Sequence, residues 1–343
     1  MVSPPARLAY APGRVNLIGD HTDYNDGLAL AMGVDLGVEV AYEPGPGATL
    51  AIDTDLDPAR AEIRTAGART GSLPPWARLA EAVIGLVGPT QGGLVHVRST
   101  LPAGTGLSSS AAFGVALSLA LGIEPMPIEV ARLCQRAEHA IGVPVGLMDP
   151  LVSMSATAGH ALFIDFATLA IEPVVLPDDV EVVIVDSGTT RRLDDSAYAT
   201  RRSECEAAAV VVGRPLGRAT PADLDHISDP VLRARATHVV SEVGRVRAFA
   251  DALSNNDLSA AGTLMMASHR SLAGNFDVST PALDRLVEDL CSTTGVYGAR
   301  MTGAGFGGCV VALCRSGTEL SLPNRRWHVR ASDGAWVRTH AES

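Results

Sequence analysis

The sequence predicts an α+β protein of two domains. Three observations carry the prediction. Its 343 residues are about twice a typical domain of roughly 150. Strand-like and helix-like runs come in blocks rather than in strict alternation. The first part mixes the two kinds, and the second is mostly helical. We place the boundary near residue 180, giving an N-terminal unit of 1–180 and a C-terminal unit of 181–343.

Along the chain, residues 28–41 (LALAMGVDLGVEVA) read as strand punctuated by glycine. Residues 93–100 (GLVHVRST) form a β-rich run that leads into the loop LPAGTGL, and a helix is predicted over 109–121. Residues 127–141 have helical spacing, with Ile128, Ala131 and Leu133 on one side and Arg132, Arg136 and Glu138 largely on others, until Gly142 and Pro144 stop the helix. Two short apolar runs, 161–166 and 180–185, read as strands. Helices are predicted over 198–212, 230–253, 258–269 and 281–291, and a glycine-rich turn at 302–308 precedes an apolar strand at 309–314.

The chain holds 27 basic residues, all of them arginine. Without lysine it cannot be a P-loop NTPase or a protein-kinase fold, both of which set a lysine on the nucleotide phosphates. Lysine Schiff-base and nucleophile chemistry are excluded as well. Apolar residues make up 47% and charged residues 19%, the mix of a globular chain. A net charge of −11 argues against nucleic acid and anionic membranes as partners. The start, MVSPPARLAY, lacks the apolar core of a signal peptide, and the longest apolar stretch, 111–123, is too short to span a bilayer. Five scattered cysteines (Cys134, Cys205, Cys291, Cys309 and Cys314) with no C-x-x-C pattern read as reduced, buried thiols of a cytoplasmic protein.

Three glycine-bearing segments carry candidate chemistry. Residues 11–24 crowd Arg14, Asp20, His21 and Asp23 around Gly13 and Gly19. Such side chains suit a polyhydroxylated ligand, because carboxylates and imidazole exchange hydrogen bonds with hydroxyls; a polar turn with a satisfied histidine is the simpler alternative. Residues 101–112 (LPAGTGLSSSAA) set glycines and three serines at the start of a helix. A helix N-terminus presents unpaired N–H groups to an anion, and serine hydroxyls add donors or a Mg²⁺ ligand; the simpler alternative is a loop with an N-cap serine. Residues 303–308 match G-x-G-x-x-G literally. A dinucleotide site needs that motif to open a helix, whereas here it runs into a strand pattern, so a tight hairpin or a turn closing over a ligand fits better.

In this order and spacing the three segments resemble the GHMP small-molecule kinase family. Residues 13–24 (GRVNLIGDHTDY) look like the galactokinase signature, and 142–149 (GVPVGLMD) look like the segment that carries the family's catalytic aspartate. Tyr198 with Arg201-Arg202 and Cys205-Glu206, and the stretch SHRSL from Ser268, match further galactokinase segments, so the likeness covers about residues 9–314. It implies an N-terminal domain of the ribosomal-protein-S5 domain-2 type and a ferredoxin-like C-terminal domain, with the site in the cleft between them. The implied reaction is ATP plus α-D-galactose giving galactose 1-phosphate plus ADP.

The resemblance also assigns roles. Asp149 matches the carboxylate near the sugar C1 hydroxyl, a general base, and Arg14 the arginine that stabilises it and the transition-state charge. Asp20, His21, Asp23, Gly146 and Tyr198 match sugar-binding positions. Gly104, Gly106, Leu107, Ser108, Ser109 and Ser110 match the phosphate loop, and Ser110 and Glu138 the Mg²⁺ ligands. Carboxylates are weak bases, so the role of Asp149 can be to orient the hydroxyl more than to abstract a proton early. Read without the resemblance, the alternative for Glu138 is an exposed helical carboxylate and for Tyr198 a packing residue at a helix start. Cys205 and His269 read as structural. The expected partners are a small sugar and ATP, and the expected state is a monomer.

The chain departs from the family pattern in three places. Asp20 stands where galactokinases usually carry glutamate, about 1.5 Å longer, which in the family helps hold the C6 hydroxyl. Pro150 follows Asp149 where glutamine is usual; it constrains Asp149 towards extended geometry unless a helix starts there. Gly274-Asn275 replaces a usual acidic pair. The alternatives are therefore a related sugar 1-kinase, acting on galacturonate, N-acetylgalactosamine, arabinose or a C6-variant hexose, and a non-catalytic galactose sensor. Such sensors lose part of the Ser-Ser-Ser-Ala run, which this chain keeps at 108–111.

Overall fold

The computed structural model describes residues 5–65, 73–88, 90–102, 104–189 and 195–339, without the side chains of Asp195 and Ser196. Its first half is built on β1 (Arg7–Ile18) and the seventeen-residue β2 (Leu28–Pro44), an antiparallel pair. Then come β3 (Thr49–Thr54), β4 (Asp57–Arg64), α1 (Ala77–Val87), β5 (Gly93–Ser99), α2 (Ser109–Ala120), α3 (Pro127–Ala140), α4 (Met148–Ser155), β6 (His160–Asp165) and β7 (Ala170–Val175). The second half holds β8 (Val180–Asp186), α5 (Asp195–Val212), α6 (Pro230–Ser254), α7 (Leu258–Gly274), α8 (Pro281–Cys291), β9 (Val296–Met301), β10 (Cys309–Arg315), β11 (Arg326–Val329) and β12 (Trp336–Thr339).

Among the described residues the strands form two sheets. The first runs β12-β1-β2-β5-β3-β4, with β6 on β2 and β7 on β6. The length of β2 explains the branch: its start pairs with β6 from Leu28 to Ala31, and its end pairs with β5 from Val38 to Pro44. The second sheet runs β11-β8-β10-β9. The change of sheet falls between β7 and β8. The 181–343 unit is not self-contained, however: β12 returns to pair with β1, Tyr10 opposite Trp336.

Local chemistry sets the helices. Asp229 caps α6, accepting from the N–H groups of Val231 and Leu232, with Pro230 at the first position. Thr280 and Pro281 start α8 in the same manner. A proline there gives up an N–H that has no intrahelical partner in any case. Helix α2 is buried almost all round, with Ala111, Ala112, Val115, Ala116, Leu117 and Leu119 each at most 1% exposed. It fills the space between the first sheet and α4. The elements α1, α4, β1, β3, β4, β7, β9, β11 and β12 were not predicted from sequence; most are short or have no clean apolar period.

Candidate active site

The site starts at a close approach of two backbones. A Cβ on Gly13 of β1 would fall 2.7 Å from the carbonyl oxygen of Leu107 and 2.5 Å from Leu101 Cδ2. Only glycine lets the loop before α2 lie this close to β1. As a result the Arg14 N–H donates to Leu107 O (3.2 Å), and Arg14 Nη1 donates to Gly106 O (2.6 Å). The remaining two nitrogens of the guanidinium meet Asp149: Nε donates to Oδ1 at 2.8 Å and Nη2 to Oδ2 at 2.6 Å. Asp149 sits in the first turn of α4, and Pro150 follows within that turn. The helix starts there, so the proline costs no hydrogen bond and does not pull Asp149 into an extended conformation.

Ser108 is not the N-cap of α2 in the hydrogen-bonding sense. Its backbone is left-handed (φ 59°) and its side chain caps nothing. Its hydroxyl donates to Asp149 Oδ2 instead. Three donors thus fix the carboxylate, whose side chain keeps 28% of its surface open. The phosphate-loop positions divide. Gly104, Ser109 and Ser110 are exposed and Gly106 half-buried at the mouth of α2, whereas the Leu107 side chain lies in the core. Glu138, on α3, is buried rather than an exposed helical carboxylate. Burial and the neighbouring Asp149 charge push its carboxyl up to about 7, against the Ser110 hydroxyl bonded to it and the nearby Arg14. A buried carboxyl beside a serine hydroxyl is a hard-oxygen pair that fits Mg²⁺, a cation that keeps several waters and phosphate oxygens. Among the described residues no cluster of three or more His, Cys, Asp or Glu side chains could hold a metal.

A second group lies alongside. His21, Asp23 and Tyr24 follow β1, and Tyr198 comes from α5. The His21 ring is 5.7 Å from Tyr198 and 4.6 Å from Phe276 (centroid distances), and its Nδ1 lies 2.9 Å from the Tyr24 hydroxyl. Tyr198 also meets Tyr24 edge-on at 5.7 Å, so Tyr198 packs against signature residues. A Cβ on Gly146 would fall 1.4 Å from Asp23 Oδ2; glycine is required for Asp23 to occupy its place. Enclosure and the Asp149 charge raise the Asp23 carboxyl to about 6, opposed by the Tyr24 N–H, and Asp20 raises it further. Beside them opens a cavity of about 310 Å³, walled by Asp23, Tyr24, Gly146, Leu147, Arg132 and Arg202.

Asp20, expected at a sugar-binding position, is engaged within the protein. It is 2% exposed. One oxygen pairs with Arg300, and the other accepts from Gly303 N–H at 3.0 Å. The reason is the fold: β9 and the glycine turn after it lie against the signature and supply both donors. That turn, 303–308, links antiparallel β9 and β10 as a hairpin, so the literal G-x-G-x-x-G opens no helix. Sequence reasoning missed Arg300, Phe276 and Glu242, and it did not foresee the bond from Ser108 to Asp149.

The sequence matches the family model described as the galactokinase galactose-binding signature over residues 2–44, and the N-terminal and C-terminal GHMP kinase models over 76–157 and 249–321. It is 39% identical over 328 residues to the galactokinase of Chloroflexus aggregans, covering 90% of this chain and 84% of that one. The chain belongs to the galactokinase family. Against the galactokinase of Homo sapiens identity is 37% over 349 residues, covering 96% and 88% of the two chains. The fold superimposes on Lactococcus lactis galactokinase complexed with galactose at a TM-score of 0.88, with 27% identity over 96% of this chain and 95% of that one. Methanococcus jannaschii mevalonate kinase, at 18% identity and a TM-score of 0.66 over 95% and 98%, shares the two-domain GHMP fold. ATP is the family's phosphoryl donor. No described helix is long and apolar enough to cross a membrane.

Proposed function

We propose that this galactokinase-family chain transfers the γ-phosphoryl group of ATP to the C1 hydroxyl of α-D-galactose. The observation that carries the reading is the two-point grip of Arg14 on Asp149, held with Ser108 at the mouth of α2. In this reading the sugar lies among His21, Asp23, Gly146 and Tyr198, with its C1 hydroxyl on Asp149. The carboxylate aims that hydroxyl at the phosphorus and takes its proton as the new O–P bond forms and the bond to the ADP oxygen breaks. Arg14 fixes the carboxylate in place and offsets charge gathering on the phosphoryl oxygens. The triphosphate rests on loop residues 104–110 and on the free N–H groups that begin α2. Ser110 and Glu138 are the residues that would hold Mg²⁺, which when bound supplies positive charge to the phosphate oxygens. Gly104, Gly106 and Ser109 would serve through backbone and hydroxyl, while Leu107 buries its side chain and accepts the Arg14 N–H through its carbonyl.

A related sugar is the second reading, because the Asp20 carboxylate is engaged by Arg300 and Gly303. ADP release from MgATP over galactose, N-acetylgalactosamine, galacturonate, arabinose and 6-deoxygalactose tests both. Galactose with the highest kcat/KM is the expected result; no ADP release with any sugar overturns the kinase reading. The working state is expected to be a monomer in the cytoplasm, checked by sedimentation and by fractionation.

A further inference from the structure

The contacts that hold the sugar signature in place come from the far end of the chain. Arg300, fully buried on β9, donates from Nη1 to Leu17 O (3.2 Å) and from Nη2 to Asp20 Oδ2. The Gly303 N–H donates to Asp20 Oδ1 at 3.0 Å, and the Thr302 hydroxyl donates to Asn16 O at 2.9 Å. From α6, Glu242 Oε1 accepts the Gly19 N–H at 3.0 Å. His238, held neutral by its burial, donates from Nε2 to Asp20 O at 3.1 Å. Glu242 is itself fixed by Arg245 (2.6 Å) and by the Ser268 hydroxyl. Every polar group of the Asp20 side chain is therefore answered from the C-terminal half.

The next residue is His21, at φ +63°. A non-glycine residue occupies that region only when its surroundings hold it there. Asn25 Nδ2 donates to His21 O at 2.8 Å on one side, and the anchored Gly19-Asp20 peptide holds the other. Two residues after Phe276, whose ring lies on His21, the Val278 carbonyl accepts the Phe306 N–H at 2.8 Å. The glycine turn and the imidazole are thus tied together twice, once through Asp20 and once through the 276–278 segment.

We propose that Asp20 and Arg300 are a positioning pair, a latch from β9 to the sugar signature that sets where His21 and Asp23 stand, and that Asp20 acts on the sugar only through it. The proposal rests on the reading of His21 and Asp23 as sugar ligands. It differs from a direct-ligand role in what Arg300 does. If Asp20 touched the sugar, its loss would raise sugar KM well beyond the loss of Arg300, which would act only through Asp20; in a latch the two residues are equivalent.

The test compares Asp20→Asn, Arg300→Met and the double variant, with active sites counted. A single change leaves a buried charge unpaired and lowers stability strongly; the double variant removes both charges and keeps the protein falsifiable if a single change fails to fold. Displacing a ligand by about 1 Å costs roughly 10²-fold in kcat/KM. We expect losses up to that size in each variant, carried mainly by sugar KM, with the double variant no worse than the worse single. Asp20→Glu should also raise sugar KM, because its extra methylene overshoots Arg300 and Gly303. Hydrogen exchange needs no turnover: amides 19–25 should exchange faster in the folded double variant while α2 stays protected. An unchanged sugar KM in Arg300→Met beside a raised one in Asp20→Asn overturns the latch, as does unchanged protection of 19–25 in the double variant. Lack of wild-type turnover would sink the kinase reading alone, since the exchange result still decides the latch.

Discussion

Arg14 closes a two-point hydrogen bond on Asp149, Nε to Oδ1 at 2.8 Å and Nη2 to Oδ2 at 2.6 Å, across 135 residues of sequence. A planar guanidinium fixes both the position and the plane of the carboxylate, which a lysine ammonium cannot do. Asp149→Asn is expected to lower kcat at least about 10²-fold, the low end for loss of a general base. Arg14→Lys should fall by a similar order, since it loses the fork and the bond to Gly106 together. Steady-state rates at saturating sugar and MgATP check both, and a kcat near wild type for Asp149→Asn would show the role to be misassigned.

Ser108 and Ser110, two residues apart, should separate by phenotype. Ser108 faces Asp149, so Ser108→Ala should lower kcat by about tenfold, one lost hydrogen bond to a charged group, at unchanged Mg²⁺ requirement. Ser110 bonds to Glu138, so Ser110→Ala and Glu138→Gln should raise the Mg²⁺ concentration for half-maximal rate. Mg²⁺ titrations at fixed ATP measure this; equal Mg²⁺ curves for all three variants would contradict the assignment.

Asp23 carries a pH signature. Its carboxyl is raised from 3.8 to about 6, so its stability contribution is full below about 3.8 and is lost as pH rises through about 6. Asp23→Asn should therefore raise the melting temperature of the sugar-free protein at pH 8 by a few degrees and leave it little changed at pH 4. The same titration reaches sugar binding: wild-type sugar KM should climb as pH falls below about 6, and the asparagine variant should be flat with pH at a higher KM. Melting curves at the two pH values and a KM profile across pH 5–8 test the two halves separately.

Gly146→Ala puts a Cβ 1.4 Å from Asp23 Oδ2. The carboxylate must move, so sugar KM should rise by about tenfold or more for a displaced ligand, while the mouth of α2 is untouched and KM for MgATP holds. A crystal structure of the variant with Asp23 unmoved would refute the steric account.

Much of this site was legible in the sequence because its parts are local. The glycine spacing at 13–19, the serines at 108–110 and the aspartate at 149 each sit in a short motif, and the fold brings Arg14, Ser108 and Asp149 together. Glu138 was ambiguous on its helix, since one carboxylate among arginines reads as solvated; it is buried where α3 meets Ser110 of α2 and Asp149 of α4. Asp20 was placed by analogy with a longer residue, and Arg300, which pairs with it, stands 280 positions away. No periodicity reports such a pair. The helices from 230 to 291 carry their own caps and prolines and were readable; β11 and β12, four residues each, exist only because another strand offers them an edge.

The pairing of β12 with β1 sets the order in which the molecule can be completed as it is made. Residues 7–10 present an unpaired edge until residues 336–339 have left the ribosome. At roughly 5–20 residues per second that interval is on the order of tens of seconds. An open edge is a template for foreign strands, so through most of its synthesis the chain presents twelve-residue β1 there, and once β12 pairs a strand of only four residues takes its place as the sheet's edge.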